Sequence, residues 1–186
     1  MFSRFNVAPI LRGHWKGLSD GEYSKWRPDR TSRALLVAPA AVFLFMLSSD
    51  GVLKSPTPLL TGVALLAGGM LSAFTHLSAL RLKITEWNIE RDTPEFSTEK
   101  DSLDESAAHL LAGALVCILD AATLVIGMNI ALRKDGALTG FWAALASGLS
   151  AYVFLVFVAI LPKLYSAYVD INRVKGELSG FTKSLH

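Results

Sequence analysis

Few residues in this chain could do chemistry, and the first is a carboxylate. Asp120 sits in the middle of AAHLLAGALVCILDAATLVIGMNIAL, residues 107–132. Insertion of a central aspartate into a membrane core costs roughly 2.5–3.5 kcal/mol, so its surroundings must compensate. A buried carboxyl must be protonated or hydrogen-bonded to hydroxyls and backbone, whereas a charged one must face water. Two of the four histidines, His76 and His109, fall near the inner ends of apolar runs, where they could approach one another. With no third ligand in view, ordinary hydrogen bonding suits them better than a metal. The single cysteine, Cys117, lies in an apolar run and reads as a small buried residue. It allows no disulfide within the chain and no Cys-based metal motif. There is no P-loop, dinucleotide GxGxxG, GxSxG elbow or HExxH motif. The expectation is therefore a non-enzyme without a cofactor or metal.

The elements that must position Asp120 follow from hydropathy. The chain has 186 residues, 52% of them hydrophobic and 18% charged. Its mean hydropathy is +0.40. Soluble domains carry roughly 25% charged residues, so this chain is oily and charge-poor. A net charge of +2 is too small to argue for a nucleic-acid binder. Crossing a hydrocarbon core of about 30 Å takes about 20 apolar residues, and four stretches qualify. They are residues 34–53, 59–80, 107–132 and 138–161, with Pro39 and Asp50 in the first and Pro162 closing the last. Their continuous apolar character, without period-two alternation, excludes a membrane β-barrel. The first run begins too late for a cleavable signal peptide.

Loop charge predicts the orientation. Fifteen of the 18 Lys and Arg residues fall in the N-terminal segment, the loop between the second and third runs, and the tail. Only Lys54, Arg133 and Lys134 lie on the other side. The positive-inside rule then places both termini in the cytoplasm of a cell inner membrane. The external loops, SSDGVLKSPTP and RKDGA, are too short to form a domain. The predicted fold class is an all-α integral membrane protein with four transmembrane helices, N-in and C-in, and with helices two and four extended into the cytoplasm.

Outside the spans the organisation is simple. Residues 1–33 form a basic amphipathic segment, in which PILRGHWKGL puts Ile10, Leu11, Trp15 and Leu18 on one stripe. An anchor for the first span is the plainer reading, and lipid sensing the functional one. Residues 81–106 form an acidic connector with eight carboxylates, read as solvated or as a partner surface. Residues 162–186 form a C-terminal helix. Leu80, Ile84 and Trp87 continue the period of span two, and Leu164, Tyr168, Ile171 and Leu178 that of span four. These two extensions are expected to pack together, with Trp87, Tyr168 and Ile171 offered to a partner.

Antiparallel counting brings Asp120 level with Gly68, Gly69 and Ser72 of span two, and with Ser147 and Ser150 of span four. No Lys or Arg is available at that depth. Two readings stand side by side: a structural hydrogen bond within the bundle, or a polar ring around an axis between copies. Small residues recur at every fourth position, in Ala64–Gly68–Ser72 and in Gly140–Ala144–Gly148, which allows close helix approach. The expected partners are the lipid bilayer, further copies of the chain and a cytoplasmic protein, with no nucleic acid.

In layout alone, the chain resembles small multi-span membrane proteins of bacterial defence and abortive-infection systems. That resemblance implies an oligomeric membrane sensor or pore-type effector, with antiviral defence as its setting. A non-catalytic scaffold that docks a cytoplasmic partner is the alternative. A small transporter or membrane-embedded enzyme is the third reading, disfavoured by the absence of an inverted repeat or paired broken helices.

Overall fold

The computed structural model describes residues 6–17, 30–91 and 97–171, and these are almost entirely helical. In chain order the elements are α1 (Ala8–Gly17), α2 (Arg30–Ser48), β1 (Val52–Leu53), α3 (Pro56–Arg91), α4 (Ser97–Ala131), β2 (Leu138–Thr139) and α5 (Gly140–Ile171). Three helices carry segments long and apolar enough to cross a membrane: Pro56–Glu86, Leu103–Ala131 and Gly140–Ser166. A shorter apolar stretch, Leu35–Ser48, lies within α2. The chain is thus all-α with three to four apolar helices, as expected of a multi-pass membrane protein.

Prolines mark the boundaries. Pro56 opens α3, with Pro58 still in its first turn, where the missing N–H would have no helical acceptor anyway. Pro39 lies inside α2 and Pro162 inside α5, and neither ends its helix. An interior proline removes one backbone bond and crowds the preceding turn, so it bends a helix that packing holds together. The α5 helix therefore continues past Pro162, as the periodicity predicts.

Helix α4 is the centre of the molecule: α3 packs on it, α5 packs on it, and α1 lies against it, while α2 packs on α5. The main core joins Val63 and Met70 of α3 to Leu110, Ala114 and Cys117 of α4, Val153, Val156 and Ile160 of α5, and Leu35 of α2. Gly113 allows the close approach at its centre, because a Cβ there would lie 2.7 Å from the Met70 sulfur.

One end of the bundle is closed by its own loops. Val52 and Leu53 pair with Thr139 and Leu138 in a two-stranded antiparallel ladder. Leu138 is fully buried beside Leu124, Ala143 and Ala146. The turn leading into β2 needs Gly136 at φ 79°, and α5 starts from Gly140 at φ 68°, left-handed conformations that glycine adopts without penalty. Hydropathy does not show such a ladder, because each strand has only two residues.

At the opposite end α3 and α4 run on together. The 36 residues of α3 span about 54 Å at 1.5 Å per residue, well beyond a 30 Å core. Ile84 and Leu103 are buried against each other with Leu77 and Leu80. Arg81 grips Asp104 with two bonds, Nε to Oδ1 at 3.0 Å and Nη2 to Oδ2 at 3.2 Å. Among the described residues the extension of α3 packs on α4, while residues 172–186, which hold most of the α5 extension expected to meet it, lie outside the described residues. Most of the acidic stretch 81–106, read as a connector, belongs to these two helices; residues 92–96 lie outside the described residues. Because the Arg81–Asp104 pair is surface-exposed, Asp104→Ala is expected to cost no more than about 1 kcal/mol in an unfolding titration.

Candidate functional site

Asp120 occupies the α4 face that meets α5, and it is fully buried. The Ser150 hydroxyl of α5 donates to its Oδ2 at 2.6 Å. Its other oxygen, Oδ1, is shielded from solvent and has no hydrogen-bond partner among the described residues. Ser147 lies one turn earlier on α5 and is half-buried. Ser72, the third hydroxyl expected at this depth, is exposed on α3 and does not face the carboxyl. The physical reason is rotational. Depth counting aligns residues along a helix axis but does not say which side of α3 turns toward α4. Within the single chain Asp120 is thus enclosed and hydrogen-bonded across α4 and α5. Ser150→Ala is expected to strip the carboxyl of this donor and destabilise the bundle by about 1–3 kcal/mol, with Ser150→Thr preserving it. Unfolding in mixed micelles, followed by circular dichroism, measures the difference.

The two small-residue rows separate in the same way. Ala144 and Gly148 of α5 are buried. A Cβ on Gly148 would meet the Phe43 Cβ at 3.1 Å and the Pro39 carbonyl oxygen at 3.2 Å, so this row seats α2. Gly140 does not belong to it. That residue is exposed, with open space where a Cβ would stand, and its role is the positive φ at the start of α5. Ala64, Gly68 and Ser72 are all exposed, and nothing lies within 4 Å of a Cβ placed on Gly68. Among the described residues, nothing covers the Gly68 position of the α3 row. Of the residues offered to a partner, Tyr168 is exposed, whereas the side chains of Trp87 and Ile171 lie outside the described residues.

A second polar site was not anticipated. Helix α1 presents three sides. Val7, Leu11 and Trp15 form an exposed apolar stripe, Arg12 and Lys16 an exposed basic one, and the remaining side, built on Gly13, His14 and Gly17, rests on α4. Contact is close because the glycines have no side chains. A Cβ on Gly13 would lie 3.1 Å from the Ala108 Cβ, and one on Gly17 would lie 3.0 Å from the His109 Nε2. The stripe of Leu11 and Trp15 thus faces outward, and Ile10 turns partly toward the bundle. Leu18, placed on the same stripe, lies outside the described residues.

This docking buries His14 in a chain of polar groups. Its Nε2 is 2.7 Å from the Tyr152 hydroxyl of α5, and its Nδ1 is 2.6 Å from the Nδ1 of His109 on α4. The two imidazoles meet edge to face, with centroids 4.6 Å apart. On the far side of His109, Nε2 faces the Glu105 carboxylate at 3.5 Å. His14 is 4% exposed and His109 3%. His76, the expected companion of His109, is exposed on α3 instead. The signal that could have found the junction is GHWKG, with its small-xxx-small spacing beside a histidine on an amphipathic helix.

Chemically, the junction can hold and pass protons and can tie three helices together. Among the described residues no group of three or more His, Cys, Asp or Glu side chains is placed to hold a metal ion. A shallow groove of about 270 Å³ between α2 and α5 reaches Tyr152 at one end. Its other walls are apolar, among them Leu36, Pro39, Phe43 and Leu149. In a search of known proteins, the chain matches no family model, no curated protein and no solved structure.

Proposed function

We propose that this chain is a membrane sensor with an effector role, crossing a bacterial inner membrane four times with both termini in the cytoplasm. It is non-enzymatic on this reading and works as a homo-oligomer. The observation that carries the reading is the construction of α1. A free-standing anchor would turn its apolar side to the membrane and have no need of a second specific surface. Here the apolar Val7–Leu11–Trp15 stripe and the basic Arg12–Lys16 edge stay exposed, while a separate glycine–histidine face docks on the bundle. Such a helix can respond to the cytoplasmic leaflet on one side and report to α4 and α5 on the other. Three further features support the reading. The loop charges favour cytoplasmic termini, the exposed small-residue row on α3 suits contact between copies, and the layout resembles defence-associated membrane effectors.

Permeability is the test, measured as dye and potassium release from cells and from proteoliposomes. Val7→Glu combined with Leu11→Glu places charge on the exposed stripe and leaves the docking face intact. A clear change in permeability, in either direction, is the expected result; equal release from the wild type and the double variant would sink the reading. Asp120→Asn tests the ion path separately. With Asp120 closed inside one chain, conductance is expected to persist in that variant.

The scaffold reading retains one specific observation. The paired extensions of α3 and α4, tied by Arg81 and Asp104, form a helical prong that could seat a soluble protein. Deleting residues 85–101 and comparing captured partners separates the two: loss of a partner with permeability unchanged would favour the scaffold.

A further inference from the structure

We infer that the Tyr152–His14–His109–Glu105 chain is a proton-binding latch that holds α1 on the bundle with up to one extra proton and releases it when a second arrives. The inference deepens the reading of α1 as the sensing element, naming the proton as one ligand of that junction. It follows from hydrogen-bond inventory. A bond between two Nδ1 atoms needs one N–H and one lone pair. With both rings neutral, the Tyr152 hydroxyl donates to His14 Nε2, His14 Nδ1–H donates to His109 Nδ1, and His109 Nε2–H points at Glu105. One added proton reverses the chain without breaking it. His109 Nδ1–H then donates to His14 Nδ1, His14 Nε2–H donates to the Tyr152 oxygen, and the charged His109 ring faces the Glu105 carboxylate at 3.5 Å.

A second proton has no place. Both Nδ1 atoms would carry hydrogens directed at one another across 2.6 Å, and two positive rings would sit side by side in a buried site. The bond is lost, and the like charges repel with little water to screen them. Separation of α1 from α4 relieves both. Among the described residues, the titratable groups facing this junction are Glu105 and His109 from α4 and Tyr152 from α5, while Arg12 and Lys16 of α1 itself are exposed. Of these, Glu105 is anionic and lies on the His109 side of the pair.

The closing experiment reads the distance between α1 and α4 in the full chain. Spin labels are placed at Leu11→Cys and Ile118→Cys, both exposed positions, in a Cys117→Ala background, and pulsed dipolar spectra are recorded across pH. One short distance is expected near neutral pH, with a longer population growing on acidification. His14→Gln and His109→Gln, which cannot take the second proton, are expected to lose the pH response. A distance that stays short throughout would overturn the latch, as would a transition that persists when both histidines are replaced. If the glutamine variants are undocked at every pH, nitrogen NMR of the wild-type imidazoles decides: a proton shared between the two Nδ1 atoms supports the latch, and two rings that titrate independently overturn it. Because the readout is a distance, release of α1 without any change in permeability would sink the sensor reading and leave the latch standing.

Discussion

Gly127→Leu is expected to break the seam between α4 and α5, destabilising the protein by about 3 kcal/mol or more. A Cβ at that position would lie 2.9 Å from the Trp142 Cβ and 3.2 Å from both Leu138 methyls. The first of these is an atom fixed to the backbone, so the neighbour cannot swing aside. Leu138 is itself locked by the β1–β2 ladder and fully buried, so the strain passes into the closed end of the bundle. Gly68→Leu is the matched control. It adds the same volume at a position with nothing within 4 Å, and is expected to leave monomer stability unchanged to within about 0.5 kcal/mol. Unfolding in mixed micelles by sodium dodecyl sulfate, followed by circular dichroism, compares the two. The control carries a second result. If copies meet through the α3 face, Gly68→Leu lowers the oligomer mass measured by native mass spectrometry while the fold survives. Equal unfolding midpoints for the two variants would show that the α4–α5 seam is looser than its contacts imply.

The second large effect is expected at Gly17. A Cβ there would collide with the Glu105 Cγ and press on the His109 Nε2. Leucine at this position cannot be accommodated while α1 remains seated, and overpacking of this kind costs about 1–3 kcal/mol. The whole cost falls on one ten-residue helix, which is too short to be stable without packing. Gly17→Leu should therefore detach α1 at every pH while leaving α3, α4 and α5 assembled. Proteolysis checks this by cleavage after Arg12 and Lys16, residues already exposed but held in a helix when docked. Faster cleavage in the variant is expected, with an unchanged thermal midpoint for the bundle. Cleavage at the wild-type rate would mean that α1 is held by something other than the glycine–histidine face.

Legibility differed from element to element. Continuous apolar runs of sufficient length announced the helices that became α3, α4 and α5, because the cost of exposing backbone in lipid leaves helix as the available form for a lone span. The continuation of α3 was visible in Leu80 and Ile84, whose spacing keeps one side apolar beyond the span. The partner of that side was not visible. Ile84 meets Leu103 of α4, a residue that sits in the acidic connector. A dense run of charge hides a helix when only one of its sides is wet.

The sites show the same limit. That Asp120 needs a hydroxyl at its own depth follows from its type and position alone, since a buried carboxyl without donors is costly in any bilayer. Ser150 is among the hydroxyls that depth brings level with it. Ser72 lies at the same depth but faces outward, because the rotation of α3 about its axis is set by packing around Met70 and Val63 and leaves no trace in hydropathy. The histidine junction lay deeper still. His14 and His109 are 95 residues apart, on helices of different character.

What the amino-acid sequence determined by itself is what depends on solvent: how many segments are apolar, how long they are, which loops carry the positive charge, and that Asp120 requires a partner. What only the tertiary structure decided is what depends on rotation and crossing: the pairing of Asp120 with Ser150, the exposed row on α3, and the meeting of His14 with His109. Transfer between water and lipid acts on each residue separately and can be read along a chain. The angle at which one helix settles on another depends on many side chains at once, so Gly13 and Gly17 acquire their meaning only when α4 lies beneath them.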